Sequence, residues 1–192
     1  PVACGATRPP APVTQRYPRE PPLSIDRAAR YVMSMKTSCG TIEVELFADK
    51  APRTVNSFAF LASKRFFGGV EFSRSTDPKA GFAVLQGGDQ EGTGAGGPGY
   101  TLPDENLKGA RYVRGTVAMA NTGRPNTGGS QFFLVADTLQ LPLSYTPFGR
   151  VTEGLDVLDR ILALGNDGSN PAGGGRPSQR VYIERLTVTK AR

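Results

Sequence analysis

Apolar and polar side chains alternate along "YVMSMKTSCGTIEVELF" (31–47): Met33 and Met35 stand between polar neighbours, and Ile42, Val44 and Leu46 alternate with Glu43 and Glu45. A period of two marks strands with one buried face, and the "TSCG" between the two runs predicts the turn of a β-hairpin. The period then lengthens. In "APRTVNSFAFLASKRF" (51–66), Val55, Phe58, Leu61 and Ala62 fall on one face of a helix, with Pro52 suited to its first turn. "TEGLDVLDRILAL" (152–164) predicts a second helix, capped by Thr152, burying Leu155, Leu158, Ile161 and Leu162 and stopping at Gly165. "RVYIERLTVT" (180–189) predicts a last strand.

Between the helices lie short strand-like runs and Gly-rich loops. One run, "NTGGSQFFLVAD" (126–137), is apolar on both faces of a strand: Phe132 and Leu134 point one way, and Gln131, Phe133 and Val135 the other. Two isolated helices flanking many short strands predict a mostly β fold, an antiparallel barrel closed on itself with the helices over its open ends, since closure removes exposed edges. Residues 1–30 hold seven of the prolines and show no apolar period, which predicts a linker or extended N-terminal arm ahead of a domain at 31–192.

Composition narrows the chemistry more than the fold. The chain of 192 residues has 24 Gly and 16 Pro, in keeping with many turns, and no apolar run long enough to span a membrane. The net charge of +6 comes from scattered Lys and Arg with only 8% aromatics, which reads as a solvated basic surface and not a nucleic-acid interface. There is no histidine. That removes histidine triads and histidine metal sites, and two cysteines without a CxxC spacing make no zinc site. Cys4 and Cys39 are read either as a disulfide of an exported protein or as two ordinary thiols, and Cys4, behind Ala3, also faintly fits a lipidation site. No leader is visible, and Pro1 says nothing of what precedes it.

Three stretches look chemical and are read as structural. "GDQEGTGAGGPG" (88–99) has no GK[ST] ending and no following helix, so it is read as a mobile surface loop and not a phosphate cradle. Asp104 and Glu105 are adjacent and point apart on an extended chain. Cys39 has no histidine to activate it as a nucleophile.

A set of motifs remains: "FSR" (72–74), "FAVLQGGD" (82–89), "MAN" (119–121), "GSQFF" (129–133) and "YTPFG" (145–149), with "ELFADKAPRTVNSF" and "GGPGY". In this order they resemble the cyclophilin family of peptidyl-prolyl isomerases, from about Met33 to Thr189, and most of all its actinobacterial members. The resemblance implies a closed eight-stranded antiparallel β-barrel capped by two α-helices, with a peptide groove on the outer wall. It implies Arg74 and Gln131 as catalytic residues, and Phe82, Val84, Ala120, Asn121, Phe133, Leu141 and Tyr145 as the substrate-binding set. Gln131 is expected to position Arg74 and the substrate carbonyl. The implied partners are proline-containing peptides and unfolded proteins, with no cofactor, no metal and a monomeric state.

The sequence departs from the family in places. Ser73 stands where a histidine usually precedes the arginine, Tyr145 replaces a frequent histidine, and the phenylalanine before the Val84 position is displaced to Phe82, so that either the loop "STDPKAGF" (75–82) brings Phe82 into the pocket or the floor is shallower. The chain has no Trp and a short "LQLPL" stretch, which implies weak cyclosporin binding. The alternative to an active isomerase is a proline-peptide binding module with little turnover, and the arm favours an extracytoplasmic or membrane-tethered location over a cytoplasmic one.

Overall fold

The predicted hairpin sets the frame. In the structure, a computed structural model describing residues 1–77 and 81–191, β1 (Tyr31–Thr37) and β2 (Gly40–Leu46) pair antiparallel with Met33 opposite Val44 and Met35 opposite Ile42. All four side chains are fully buried, so the alternation read from sequence is the alternation of core and surface.

Among the described residues, seven further strands complete one sheet: β3 (Val70–Glu71), β4 (Arg74–Ser75), β5 (Val84–Gly87), β6 (Thr116–Met119), β7 (Phe132–Val135), β8 (Pro147–Glu153) and β9 (Tyr182–Lys190). Every named strand pair is antiparallel, in the order β3-β9-β1-β2-β8-β6-β7-β5-β4. The two outermost strands, β3 and β4, are neighbours in the chain, separated only by Phe72 and Ser73. Phe72 N–H donates to Val181 O (2.9 Å) on one side and Ser73 N–H to Gln86 O (3.0 Å) on the other. The expected closed barrel of eight strands is therefore found as a curled antiparallel sheet of nine. The count differs because the 70–75 stretch turns from β9 to β5 partway along and forms two short strands.

Helix α1 (Pro52–Ser63) carries Pro at its start and buries Val55, Phe58, Leu61 and Ala62 as expected, lying against β9. Its first turn is closed from outside: the Glu105 carboxylate accepts from Arg53 N–H (3.1 Å), Thr54 N–H (2.9 Å) and Thr54 Oγ1 (2.9 Å). An anion there satisfies orphan donors and meets the positive end of the helix dipole. Helix α2 (Leu155–Leu162) starts later than predicted, after Gly154 and not after Thr152. Thr152 and Glu153 are drawn into β8, and Val157 joins Leu158, Ile161 and Leu162 on the buried face while Leu155 is only half-buried.

The core is aromatic. Phe58 stacks on Phe67 (5.2 Å between centroids) and meets Phe132 (5.6 Å) and Phe148 (4.6 Å), all four rings being buried. A second, smaller apolar cluster of Val84, Tyr112, Ala118, Phe133, Val135 and Leu139 lies on the other face of β5, β6 and β7.

The N-terminal residues run extended over the domain. Asn56 holds them with Oδ1 accepting from Ser24 N–H (2.9 Å) and Nδ2 donating to Pro22 O (3.0 Å); Gln90 does the same at Gln15 N–H (2.8 Å) and Val13 O (3.0 Å). Of the two readings of the cysteines, the disulfide is the one formed, joining Cys4 to Cys39 in the β1–β2 turn. Among the described residues, no helix is long and apolar enough to cross a membrane.

Candidate active site

Strand register builds the site. Arg74 on β4 lies opposite Gln86 on β5, Gln86 opposite Phe133 on β7, and Phe133 opposite Ala118 on β6, so one row of partners crosses four strands. Cross-strand partners share a face, and the neighbouring row of Leu85, Leu134 and Val117 points into the core. Arg74, Gln86 and Phe133 thus stand on the face away from the core. Phe133 is buried by the second cluster and meets Tyr145 edge-on at 5.6 Å.

Above this row is a cavity of about 440 Å³ lined by Arg74, Phe82, Val84, Gln86, Ala120, Asn121, Phe133, Leu141 and Tyr145. Every expected substrate-binding residue and Arg74 therefore converge on one space. Phe82 reaches it: its ring lies 5.3 Å from the Arg74 guanidinium carbon, a cation–π contact. Of the two alternatives for the displaced phenylalanine, the structure has Phe82 at the cavity wall; residues 78–80 of "STDPKAGF" lie outside the described residues.

The loop walls are held by side-chain hydrogen bonds, some from expected site residues and others, as at Tyr112 and Asp89, from residues not expected at the site. Tyr112 Oη donates to Tyr145 O (2.8 Å) and accepts from Tyr145 N–H (3.2 Å), fixing the segment that carries Tyr145; burial pushes its phenol above the usual tyrosine value. Asn121 Nδ2 donates to Ser144 O (2.7 Å). The Gly-rich 88–99 stretch, expected to be a mobile surface loop, is a loop hydrogen-bonded to the site. Asp89 accepts from Glu91 N–H (2.8 Å) and Gly94 N–H (2.6 Å), and Gln131 Nε2 donates to Gly94 O and Gly96 O, both at 3.0 Å.

Gln131 therefore sits beside the cavity, not against the arginine. It lines an adjoining cavity of about 410 Å³ that shares Gln86, Gly94, Ala120 and Asn121 with the first. It is bonded to Gln86, the cross-strand partner of Arg74: Gln86 Nε2 donates to Gln131 Oε1 (3.1 Å). Gln86 was readable: it is the half-buried polar residue on the cavity face of the strand "VLQG", two positions from Val84. Arg74 is held elsewhere, Nε donating to Gly173 O (2.9 Å) and Nη2 to Ala172 O (2.7 Å). Burial lowers its pKa from the usual arginine value, and the nearby Tyr145 phenol acts in the opposite sense. Among the described residues there is no group of His, Cys, Asp and Glu that could hold a metal ion.

The family model described as cyclophilin type peptidyl-prolyl cis-trans isomerase/CLD matches residues 32–188, from the second residue of β1 nearly to the end of β9. The chain belongs to the cyclophilin family. A cyclophilin relative from Mycobacterium tuberculosis, a probable peptidyl-prolyl cis-trans isomerase B, is 39% identical over 190 residues, covering 92% of this chain and 58% of its own. The corresponding Mycobacterium leprae protein is 42% identical over 172 residues, covering 81% and 56%. This chain thus spans little more than half the length of these mycobacterial relatives. A Helicobacter pylori peptidyl-prolyl cis-trans isomerase is 45% identical over 132 residues, covering 67% of this chain and 78% of that protein. Among solved structures, a Cryptosporidium parvum cyclophilin type peptidyl-prolyl cis-trans isomerase superposes with a TM-score of 0.75 at 28% identity, covering 85% of this chain and 99% of that one. The same parasite cyclophilin in the presence of the dipeptide Ala-Pro gives 0.74 at 29% identity, covering 83% and 99%.

Proposed function

We propose that this cyclophilin catalyses cis–trans isomerisation of X-Pro peptide bonds in its outer groove, with residues 31–192 as the isomerase domain and 1–30 as its arm. The observation that carries the reading is the row Arg74, Gln86, Phe133 beneath an open cavity, a fixed cation beside an apolar floor. A structure of a related cyclophilin obtained with Ala-Pro supports a prolyl ligand for such a groove. We read the curled sheet as a barrel closed through the 70–75 stretch, which keeps the row rigid.

The reaction is a rotation. The X-Pro barrier of about 18–20 kcal/mol is amide resonance, lost when the C–N bond twists by a right angle. In the twisted state the prolyl nitrogen is pyramidal and its lone pair is free to accept a hydrogen bond that the planar amide cannot accept. A cationic donor aimed at that nitrogen stabilises the transition state more than the substrate, which is the requirement for catalysis. Arg74 is that donor, because its planar guanidinium stays charged and presents several N–H groups in a fixed fork. The planar amide is also the more polar species, so the wall of Phe133, Val84, Leu141, Tyr145 and Phe82 favours the less polar twisted one. The Ala120–Asn121 segment offers backbone for a β-like contact with the peptide, and Gln131, through Gln86, steadies the polar side of the groove. No covalent intermediate enters this mechanism.

Two expected results follow from the side chains present. The chain has no histidine, and Arg74, although lowered by burial, would lose its charge only far on the alkaline side. A profile of kcat/KM that is flat from about pH 6 to 8 is expected, and a bell in that range would contradict the assignment. With no tryptophan in the chain, cyclosporin is expected to inhibit weakly, and sub-micromolar inhibition would count against this. The Cys4–Cys39 disulfide supports an extracytoplasmic, oxidising location. The function itself is tested by turnover of a short X-Pro peptide: acceleration supports it, and binding without acceleration supports a recognition module instead.

A further inference from the structure

The segment between α2 and β9 folds as a hairpin with a built interior. Asn166 bridges Pro177, Asp167 N–H donates to Arg176 O (3.0 Å), and Asp167 Oδ1 accepts from Ser169 N–H (3.0 Å) and Arg176 N–H (2.9 Å). Toward the tip, Asn170 N–H donates to Gly174 O (3.1 Å) and Gly173 N–H to Asn170 O (2.9 Å).

This hairpin is joined to the site at both sides. Gly175 exchanges two backbone hydrogen bonds with Ser75, the residue after Arg74: Ser75 N–H to Gly175 O (2.7 Å) and Gly175 N–H to Ser75 O (3.0 Å). Arg176 Nη2 donates to Gly92 O (2.6 Å) in the Gly-rich loop. Between these anchors the carbonyls of Ala172 and Gly173 accept from Nη2 and Nε of Arg74, the two donors that share one edge of the guanidinium. Ser169, Asn170, Pro171 and Ala172 form a wall of the cavity.

We propose that the 166–177 hairpin is a positioning element for the isomerase reaction: its Ala172 and Gly173 carbonyls lock the Nε/Nη2 edge of Arg74 and aim the Nη1/Nη2 end at the substrate nitrogen. This rests on the isomerase reading. The opposite role, a plug competing with substrate, is disfavoured by volume, because about 440 Å³ stays open with the hairpin in place, within the roughly 300–1,000 Å³ of ordinary ligand sites. A clamp also suits the chemistry. Arginine has many rotamers, and a donor fixed beforehand need not be ordered in the transition state.

Gly174 gives the handle. It has φ +75°, and a Cβ there would lie 2.2 Å from Ser75 O, so Gly174→Ala pushes the hairpin off β4. Asp167→Ala loosens the same hairpin by removing its internal acceptor, as a second and milder variant. The experiment measures kcat and KM of both variants, each in the native and the Arg74→Lys background. In the native background, kcat is expected to fall about tenfold or more with KM nearly unchanged. In Arg74→Lys the hairpin variants should change kcat less than about twofold, since lysine has no guanidinium edge to hold.

An equal fall in both backgrounds, or a rise in rate, overturns the proposal. A second readout needs no turnover. The Arg74 Nε–H resonance, assigned by its loss in Arg74→Lys, is expected to exchange slowly with water and to lose that protection in Gly174→Ala and Asp167→Ala. Unchanged protection also overturns the clamp. If the native protein proves inactive, the isomerase reading falls while this resonance still decides whether the clamp exists.

Discussion

Arg74→Ala is expected to lower kcat/KM for an X-Pro peptide by about a hundredfold to a thousandfold, while the peptide still binds. The size follows from the role. Removing one preorganised donor from a developing charge or lone pair costs about 3–4 kcal/mol of transition-state stabilisation in comparable sites. Here the donor is charged, half-buried and aligned by two carbonyls before the substrate arrives. The ground-state peptide is assigned mostly to the other groups that line the cavity, the Phe133–Tyr145 pair, Val84, Leu141 and the Ala120–Asn121 segment, so the loss is expected to fall on kcat with only a small change in Kd. Steady-state turnover and a parallel titration with the same peptide separate the two. A variant that keeps most of its rate would remove Arg74 from the chemistry, and one that loses binding in proportion would make it a binding residue only.

Phe58→Ala is expected to destabilise the fold by about 3–5 kcal/mol, the range for truncating a fully buried phenylalanine. Phe58 is 0% exposed and contacts Phe67, Phe132 and Phe148, rings that come from three separate parts of the chain. Those rings cannot all close over the gap, because Phe132 and Phe148 are fixed by their strands and Phe67 by the turn after α1. A loss of this size is a large part of the roughly 5–15 kcal/mol that holds an ordinary domain together. Urea unfolding would read it as a lower midpoint with an unchanged slope. A shift of less than about 1 kcal/mol would mean that the aromatic cluster repacks and is not the keystone of the core. Because Phe132 adjoins Phe133 on β7, the same ring that supports the core steadies the floor of the groove.

How much of this was legible depends on whether the signal was local. The β1–β2 hairpin and the buried face of α1 were, since alternation and helical spacing are written in adjacent residues and Pro52 marks the helix start. The start of α2 was misplaced by a non-local effect. Pairing of Glu43 with Glu153 and Val44 with Val151 extends β8 through Thr152, and Gly154 makes the junction at φ +89°, where a Cβ would lie 2.4 Å from Thr41 O. The strand count was off by one because a single extended run, 70–75, serves two partners.

The site shows the same division. Arg74, Phe82, Val84, Ala120, Asn121, Phe133, Leu141 and Tyr145 came from motif resemblance, and all line one cavity. Gln86 was equally legible, its side chain two residues from Val84 on the same strand face, and it joins Gln131, whose amide also bonds the Gly-rich loop. The hold on Arg74 was not legible at all. It is made by backbone carbonyls of Ala172 and Gly173, and a carbonyl leaves no mark in the sequence. The arm was legible as a linker or extended segment, but its hold on the domain was not, for a related reason: its captors, Asn56 and Gln90, lie far away in the chain and bind its main chain.

The central claim is that the outer groove turns an X-Pro bond over. Its most direct measurement is magnetisation exchange between the cis and trans signals of a short Ala-Pro peptide, with the native protein present at a small fraction of the peptide concentration. Uncatalysed exchange takes tens to hundreds of seconds and gives no cross-peaks on that timescale. The account predicts cross-peaks, with the cis-to-trans ratio unchanged, and their disappearance in Arg74→Ala. Peptide-induced shifts at Phe133 and Tyr145 without any exchange would contradict it and leave the groove a binding site for proline peptides.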